Sequence, residues 1–218
     1  EALLSALNSA KDACTVVAEV HGASGMGKSM LIDEFVKRRE CQGDVIVLQG
    51  RCYEQESVPY KAIDGIIDQL TRFLMKLPAE ECAELLPSNM GRLARLFPVL
   101  KRVKLIDEMM GNQTELADPR QLRLTAIAAL GQLIDSITET KTLLLTIDDM
   151  QWGDVDSSII INRLLQLGYG YRLMLIVGYR SEYVTTSPCL KMLHRAKWAD
   201  DEGAVSNALA TAAISASA

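Results

Sequence analysis

The segment Gly22-Ala23-Ser24-Gly25-Met26-Gly27-Lys28-Ser29 constrains this chain more than any other. It follows a short apolar, β-branched run, Thr15 to Val20, and opens a helical pattern, so a strand runs through a glycine-rich turn into a helix. Glycines at these positions let the backbone curl with successive N–H groups pointing inward, and the following helix adds the positive end of its dipole. The spacing G-x-x-x-x-G-K-[ST] is that of a phosphate cradle: Lys28 reaches the β- and γ-phosphates, and the Ser29 hydroxyl ligates Mg²⁺. Gly22, Ala23, Ser24, Gly25, Met26, Gly27, Lys28, Ser29 and the adjoining Met30 are therefore the expected nucleotide-binding segment. The bland alternative, a glycine turn that happens to precede a lysine, fits the flanking strand and helix poorly. A dinucleotide fold is disfavoured because G-x-G-x-x-G does not occur in the loop.

Three further apolar runs, Val45 to Leu48, Leu143 to Ile147 and Leu173 to Val177, read as buried parallel strands. Helical patterns lie between them. In "KAIDGIIDQLTRFL" the residues Ala62, Ile63, Ile66, Ile67, Leu70, Phe73 and Leu74 share one face. Asp118 and Pro119 read as the N-cap and first position of a long helix with Leu124, Ile127, Ile134 and Ile137 on one stripe. A helix is expected from Asp156 to Gly168. Between Lys76 and Leu116 the helical pattern is broken by Pro78, Pro87, Pro98 and Gly111, which predicts several short helices inserted into the frame, as a lid or as packing. Alternating strand and helix give an α/β class. Residues 1–200 are expected to form the core, with the insertion at about 76–117, and the Ala/Ser-rich residues 201–218 are expected to be peripheral or non-native to it.

A phosphate loop alone does not hydrolyse; a second metal ligand, a group that orients water and a γ-phosphate sensor are also needed. The run Leu143 to Ile147 delivers Asp148 and Asp149 to a strand end, where open α/β sheets bind ligands. Asp148 is expected to hold Mg²⁺ and Asp149 to polarise water. The run "RLMLIVGYRSE" ends in Arg180, which is placed to meet the γ-phosphate, although a surface arginine at a strand end is an equal alternative. More than a hundred residues, including the strand at Val45 to Leu48, separate loop and acids, so an extra strand is expected between their two strands in the sheet, as in water-activating ATPases. GTPases would carry N-K-x-D, which is missing. The H-R-D triplet of protein kinases is also missing, since His194-Arg195 is followed by Ala; His194 reads as a surface or partly buried helix residue.

Composition narrows the partners. A net charge of −5 with 49% hydrophobic residues supplies no basic field for a nucleic-acid backbone and enough apolar surface for a core. No apolar run reaches the roughly 20 residues of a membrane helix. The five cysteines are scattered without metal or redox spacing, and read as buried thiols of a reducing compartment. A cytoplasmic location follows as the expectation, for a chain that lacks an initiator Met and reads as part of something longer.

Together "GASGMGKS", "GRCYEQESVPYKAIDGIIDQL", "LARLFPVL", "DPRQLRLTAIAALGQLID", "LLLTIDDMQWGD" and "LIVGYRSE" resemble the AAA-like ATPase module of STAND-type signal-transduction NTPases, up to about Trp198. The D-D-x-Q-W-x-D form, here Asp148, Asp149, Gln151, Trp152 and Asp154, is the most specific part. The resemblance implies a P-loop NTPase three-layer sandwich with a mainly parallel sheet and an inserted helical segment. It also implies ATP or ADP with Mg²⁺, slow hydrolysis, and a conformational switch inside bacterial multidomain regulators that carry attached effector and sensor domains. Arg51, in "GRCYE", matches a family position and is expected to make an ion pair within the fold. The family's adenine-contacting segment lies upstream of "EALLSAL", and a fifth strand and helical lid would follow Trp198. Two other functions compete: a nucleotide-binding interaction scaffold without turnover, and a small-molecule P-loop kinase, which the position of the acidic pair disfavours. A nucleotide-dependent oligomer is left open.

Overall fold

The computed structural model describes residues 1–12, 14–55, 58–110, 118–167, 171–199 and 210–215. Its frame is a five-stranded sheet in the order β2-β3-β4-β1-β5, with β1 at Thr15–Gly22, β2 at Val45–Arg51, β3 at Thr142–Asp148, β4 at Leu173–Arg180 and β5 at Ala210–Ser215. Every adjacent pair runs parallel. The four strands expected from apolar runs are all present. Each continues past its apolar run at the C-terminal end, bringing Gly22, Arg51, Asp148 and Arg180 to the same edge of the sheet.

A strand does separate the loop strand from the acidic strand, but it is β4, which comes last of the four in sequence. β2, the strand that intervenes in sequence, lies outside β3 at the sheet edge. Parallel pairing through crossover helices sets no link between chain order and sheet order, so the long intervening segment indicates the extra strand without identifying it.

Apolar side chains cover both sheet faces. On one, α1 (Ala2–Lys11) and α2 (Lys28–Gln42) pack Leu3, Leu7, Ile32 and Phe35 against Val16, Leu144 and Ile176. On the other, α3 (Lys61–Lys76), α7 (Pro119–Thr140), α8 (Val155–Leu167) and α9 (Pro188–Ala199) close over Val17, Leu145, Leu175 and Val177. In α3 the expected stripe is buried with Phe73 at its margin, and Thr71 joins it by returning its hydroxyl to the Ile67 carbonyl at 2.7 Å.

The segment after α3 folds into α4 (Ala79–Leu85), α5 (Met90–Leu96), a 3-10 turn at Pro98–Arg102 and α6 (Lys104–Met110). Pro78 caps α4 and Pro98 opens the turn, so these prolines sit where a missing N–H costs least. Met90, Leu93, Leu100 and Ile106 are completely buried and continuous with the core, and the Phe97 ring meets Tyr60 edge-on at 5.4 Å. The insertion therefore packs as part of the core; Gly111 and Leu116 lie outside the described residues.

Three local expectations are corrected. Leu124 is 55% exposed. At about 100° per residue it lies roughly 120° around α7 from Leu130, outside the stripe of Ile127, Ile134 and Ile137. α8 begins at Val155 and takes its cap from Asp154, whose Oδ1 accepts from the Ser157 amide at 2.8 Å; Asp156 instead pairs with Arg123 at 2.8 Å. Its expected stop at Gly168 is outside the described residues. Cys52, Cys82 and Cys189 are buried thiols, whereas Cys14 is half-buried and Cys41 is exposed near the polar end of α2.

In the Ala/Ser-rich tail, Ala210–Ser215 pairs with β1 from Val16↔Ala210 to His21↔Ser215. An edge strand needs a backbone partner on one side only, so it can form without the apolar run that announces an interior strand. No described helix is long and apolar enough to cross a membrane.

Candidate functional site

β1 ends at Gly22, and α2 begins at Lys28 with its first bond from the Leu31 amide to the Gly27 carbonyl at 2.9 Å. Gly25 and Gly27 take φ of 82° and 80°, left-handed values that explain why glycine stands at both positions. Ala23, Ser24 and Gly25 form an exposed rim. Lys28 is 8% exposed, and its Nζ donates back across the loop to the Ala23 carbonyl at 2.7 Å. The ammonium is thus held within the curl, and Ser29 follows it in the first turn of α2.

The acidic pair lies beyond the intervening β4. Asp148 ends β3 on the face that carries Leu144, the side where α2 packs. Its Oδ1 accepts from the Asp149 amide at 2.9 Å. A Cβ placed on Gly178 of β4 would fall 2.6 Å from that oxygen and 2.9 Å from Ile32 Cδ1, so the glycine is the gap through which Asp148 approaches α2. Asp149 leaves the strand in a left-handed conformation, φ 54° and ψ 36°, uncommon for a non-glycine residue.

Side-chain bonds hold Asp149 there. Arg51, in register with Asp148 at the tip of β2, donates to Asp149 Oδ2 through Nε at 3.2 Å and its terminal nitrogen at 2.9 Å. Gln151 Nε2 donates to Asp149 Oδ1 at 2.9 Å, and Gln151 Oε1 accepts from the Arg180 backbone amide at 3.1 Å. The Asp149 hydrogen bond, against a smaller effect of burial, raises the Arg51 pKa further above its ordinary value. Arg51 also lies over the Tyr53 ring at 5.8 Å. With Asp148 it borders an open cleft of about 430 Å³ between α2 and α3. The sequence-level expectation of an ion pair for Arg51 is met, and its partner is the residue expected to polarise water.

Arg180 ends β4 beside Gly22, in register with it, on the face shared with Met174 and Ile176. Arg180 is thus one strand from the loop. Sequence alone assigns no role to Asp154, the last acid of the D-D-x-Q-W-x-D run. Asp154 accepts from the Tyr60 amide at 3.1 Å, the Lys61 amide at 3.0 Å and the Ser157 amide at 2.8 Å, joining the starts of α3 and α8. Burial alone would raise its pKa, but the Ser157 and Tyr60 hydrogen bonds outweigh it and the pKa is lowered. Tyr60 holds a left-handed φ of 66° at the α3 N-cap, and Trp152 packs on Tyr183 with ring centroids 4.8 Å apart. The signal for Asp154 is its place directly before the helical run that opens at Val155, a capping position.

A glycine-curled loop between strand and helix, with a paired acid two strands over across an intervening parallel strand, defines a P-loop NTPase. The chain belongs to the AAA ATPase domain family, whose signature matches residues 1–177. No match is found among curated proteins. Solved structures similar to it include Drosophila ORC bound to GC-rich DNA and Cdc6, with TM-score 0.44, 9% identity, and coverage of 98% of this chain and 53% of that one. Drosophila ORC bound to DNA is similar with TM-score 0.40, 12% identity, and coverage of 84% and 75%. The chain thus spans about half the length of the first of these.

Proposed function

We propose that this chain is the ATP- and Mg²⁺-binding module of a larger STAND-type signalling protein, one that hydrolyses slowly and changes conformation between ATP and ADP states. The observation that carries this reading is the bonded path from Asp149 through Gln151 to the Arg180 backbone, which ties the water-polarising position to the γ-phosphate-sensing position. The donor set suits the ligands: an ammonium already held inside the loop, a hydroxyl at the helix start, and a carboxylate that reaches α2 through the Gly178 gap.

In this reading Gly22 to Met30 wrap the phosphates, with Lys28 moving its Nζ from the Ala23 carbonyl to phosphate oxygen. Ser29 and Asp148 hold Mg²⁺, which supplies charge neutralisation on the phosphates. Asp149 accepts a proton from the attacking water, and Arg180 pairs with the γ-phosphate. The attached effector and sensor domains and a cytoplasmic setting belong to the same proposal.

A second reading, a nucleotide-bound interaction scaffold without turnover, is favoured by one observation: both Asp149 oxygens are already engaged, by Arg51 and Gln151. Calorimetric ATP titration of the parent and Lys28→Ala, with phosphate release from the parent and Asp149→Asn, separates the readings. The switch reading expects Lys28→Ala to weaken binding by about one to two decades, the worth of one charge-assisted hydrogen bond. It also expects Asp149→Asn to bind normally and lose turnover. Equal affinities reject the phosphate loop, and a parent that binds without releasing phosphate establishes the scaffold.

A further inference from the structure

Behind the phosphate loop, on the sheet face away from α2, lies a polar cluster that the nucleotide chemistry does not use. Tyr179 of β4 is in register with His21 of β1, and their rings stack at 5.6 Å with 16° between planes. The Tyr179 hydroxyl donates to Glu19 Oε2 at 2.8 Å. His21, the residue before Gly22, has its Nδ1 3.2 Å from the Ser181 hydroxyl, the residue after Arg180. From α9, His194 brings Nε2 to 3.6 Å from Glu19 Oε1 and sets its ring edge-on to Tyr179 at 6.1 Å. The chain has two histidines, and both belong to this cluster.

Elsewhere α9 docks with apolar groups, Cys189 and Leu190. Setting a carboxylate with 14% side-chain exposure under the same helix costs desolvation, which the Tyr179 hydroxyl and the His194 ring offset. Burial first, and Glu19 second, push the Tyr179 phenol pKa up, so it remains a donor throughout the working pH range. Histidine as a residue type ordinarily changes charge near neutrality, and of the two in the cluster His194 is the one set against the Glu19 carboxylate. Facing it are Glu19 from β1 and Tyr179 from β4, with His21 beyond the Tyr179 ring. On α9 the neighbouring charged positions are Lys191, Arg195 and Lys197; α8 carries Asp156, which is held by Arg123, and Arg163; the turn after β4 carries Glu182.

We propose that His194, Glu19, Tyr179 and His21 form a relay that couples the docking of α9 to the phosphate loop, with His194 protonation as its input and His21 as a positioning residue for Gly22. The inference rests on the phosphate-binding reading of Gly22–Ser29 and adds a regulation of that site. A charged His194 makes its contact with Glu19 an ion pair, which seats α9 on the sheet and fixes the carboxylate that orients Tyr179. The Tyr179 ring backs His21, and His21 joins the residue before the loop to the turn beyond Arg180. A neutral His194 loosens the far end of this chain.

The test reads the ratio of ATP affinities at about pH 5.5 and about pH 8, either side of the ordinary histidine range, by calorimetry. Protonation of ATP itself affects every variant equally, so the variants are compared with the parent. Glu19→Gln still accepts from Tyr179 but cannot form the ion pair, and Tyr179→Phe keeps the ring and breaks the link. In both, and in His194→Gln, the low-pH advantage should fall by at least about fivefold, the lower end of ordinary coupling between sites. Melting curves establish that each variant is folded. Folded Glu19→Gln and Tyr179→Phe proteins that keep the parent's ratio overturn the relay. A parent that binds no ATP at either pH overturns the phosphate-loop reading itself, and a folded His194→Gln protein that keeps the parent's ratio overturns the relay alone.

Discussion

Arg51 and Asp149 come from strand ends 98 residues apart in sequence and meet at 2.9 Å, with the guanidinium half exposed and the carboxylate largely covered. The pair occupies the oxygen a water-polarising aspartate needs. Arg51 has room to leave, because it borders the open cleft between α2 and α3. Arg51→Ala is expected to raise the phosphate-release rate several-fold while leaving ATP affinity within about twofold. With the guanidinium half in solvent and Asp149 still bonded to Gln151, the pair is worth about 1 kcal/mol, so the melting temperature should move little. If turnover instead falls with affinity intact, Arg51 orients Asp149 and does not withhold it.

Gly178 gives a steric test of Asp148. The Cβ of Gly178→Ala would meet Asp148 Oδ1 at 2.6 Å and Ile32 Cδ1 at 2.9 Å. Both are side-chain ends, so the carboxylate turns away at a cost of about 1–3 kcal/mol, the range for overpacking. The Mg²⁺-dependent share of ATP affinity should be lost, while binding measured in chelator stays near the parent's. Equal loss with and without Mg²⁺ would show that Asp148 does not act through metal.

Asp154 predicts an acid limit. Its pKa is lowered in the folded state, so its contribution to stability is complete above the unfolded value of about 3.9 and is lost as pH falls through the lower folded value. Urea melts of the parent should weaken across that window, and Asp154→Asn should flatten this part of the profile. At neutral pH the variant should cost at least about 2 kcal/mol, because a charged acceptor shared by the Tyr60, Lys61 and Ser157 amides is replaced by a neutral one. A parent and variant with parallel pH profiles would remove Asp154 from the acid response.

The interior strands were legible because a strand buried on both faces is mainly apolar: Leu173 to Val177 is wholly so, and Leu143 to Ile147 is so but for the buried Thr146. The loop was legible because its geometry is local: the left-handed Gly25 and Gly27 and the Lys28 bond to the Ala23 carbonyl fall within a few residues of one another. What escaped was long-range or backbone-borne. The pairing of Arg51 with Asp149 depends on β2 lying beside β3, and the approach of Asp148 to Gly178 depends on β4 filling the gap beside β1, an order no local pattern encodes. β5 is held by backbone pairing with β1, to which composition is nearly silent.

Arg180 separates sensing from structure most directly. Its place beside Gly22 and the bond from its amide to Gln151 are backbone features that Arg180→Ala retains, so the substitution removes the guanidinium alone. A guanidinium that pairs with the γ-phosphate has nothing comparable to meet in ADP. ATP affinity should therefore fall by about one to two decades, with ADP affinity nearly unchanged. Because a ligand biases two states only by its differential affinity for them, the parent's ATP-to-ADP affinity ratio also bounds the free energy available for switching. Dissociation constants for both nucleotides, with melting curves of the nucleotide-free proteins, decide the matter. An unchanged ratio rejects the sensor role, and a lowered melting temperature with both affinities reduced alike identifies Arg180 as a structural residue at the end of β4.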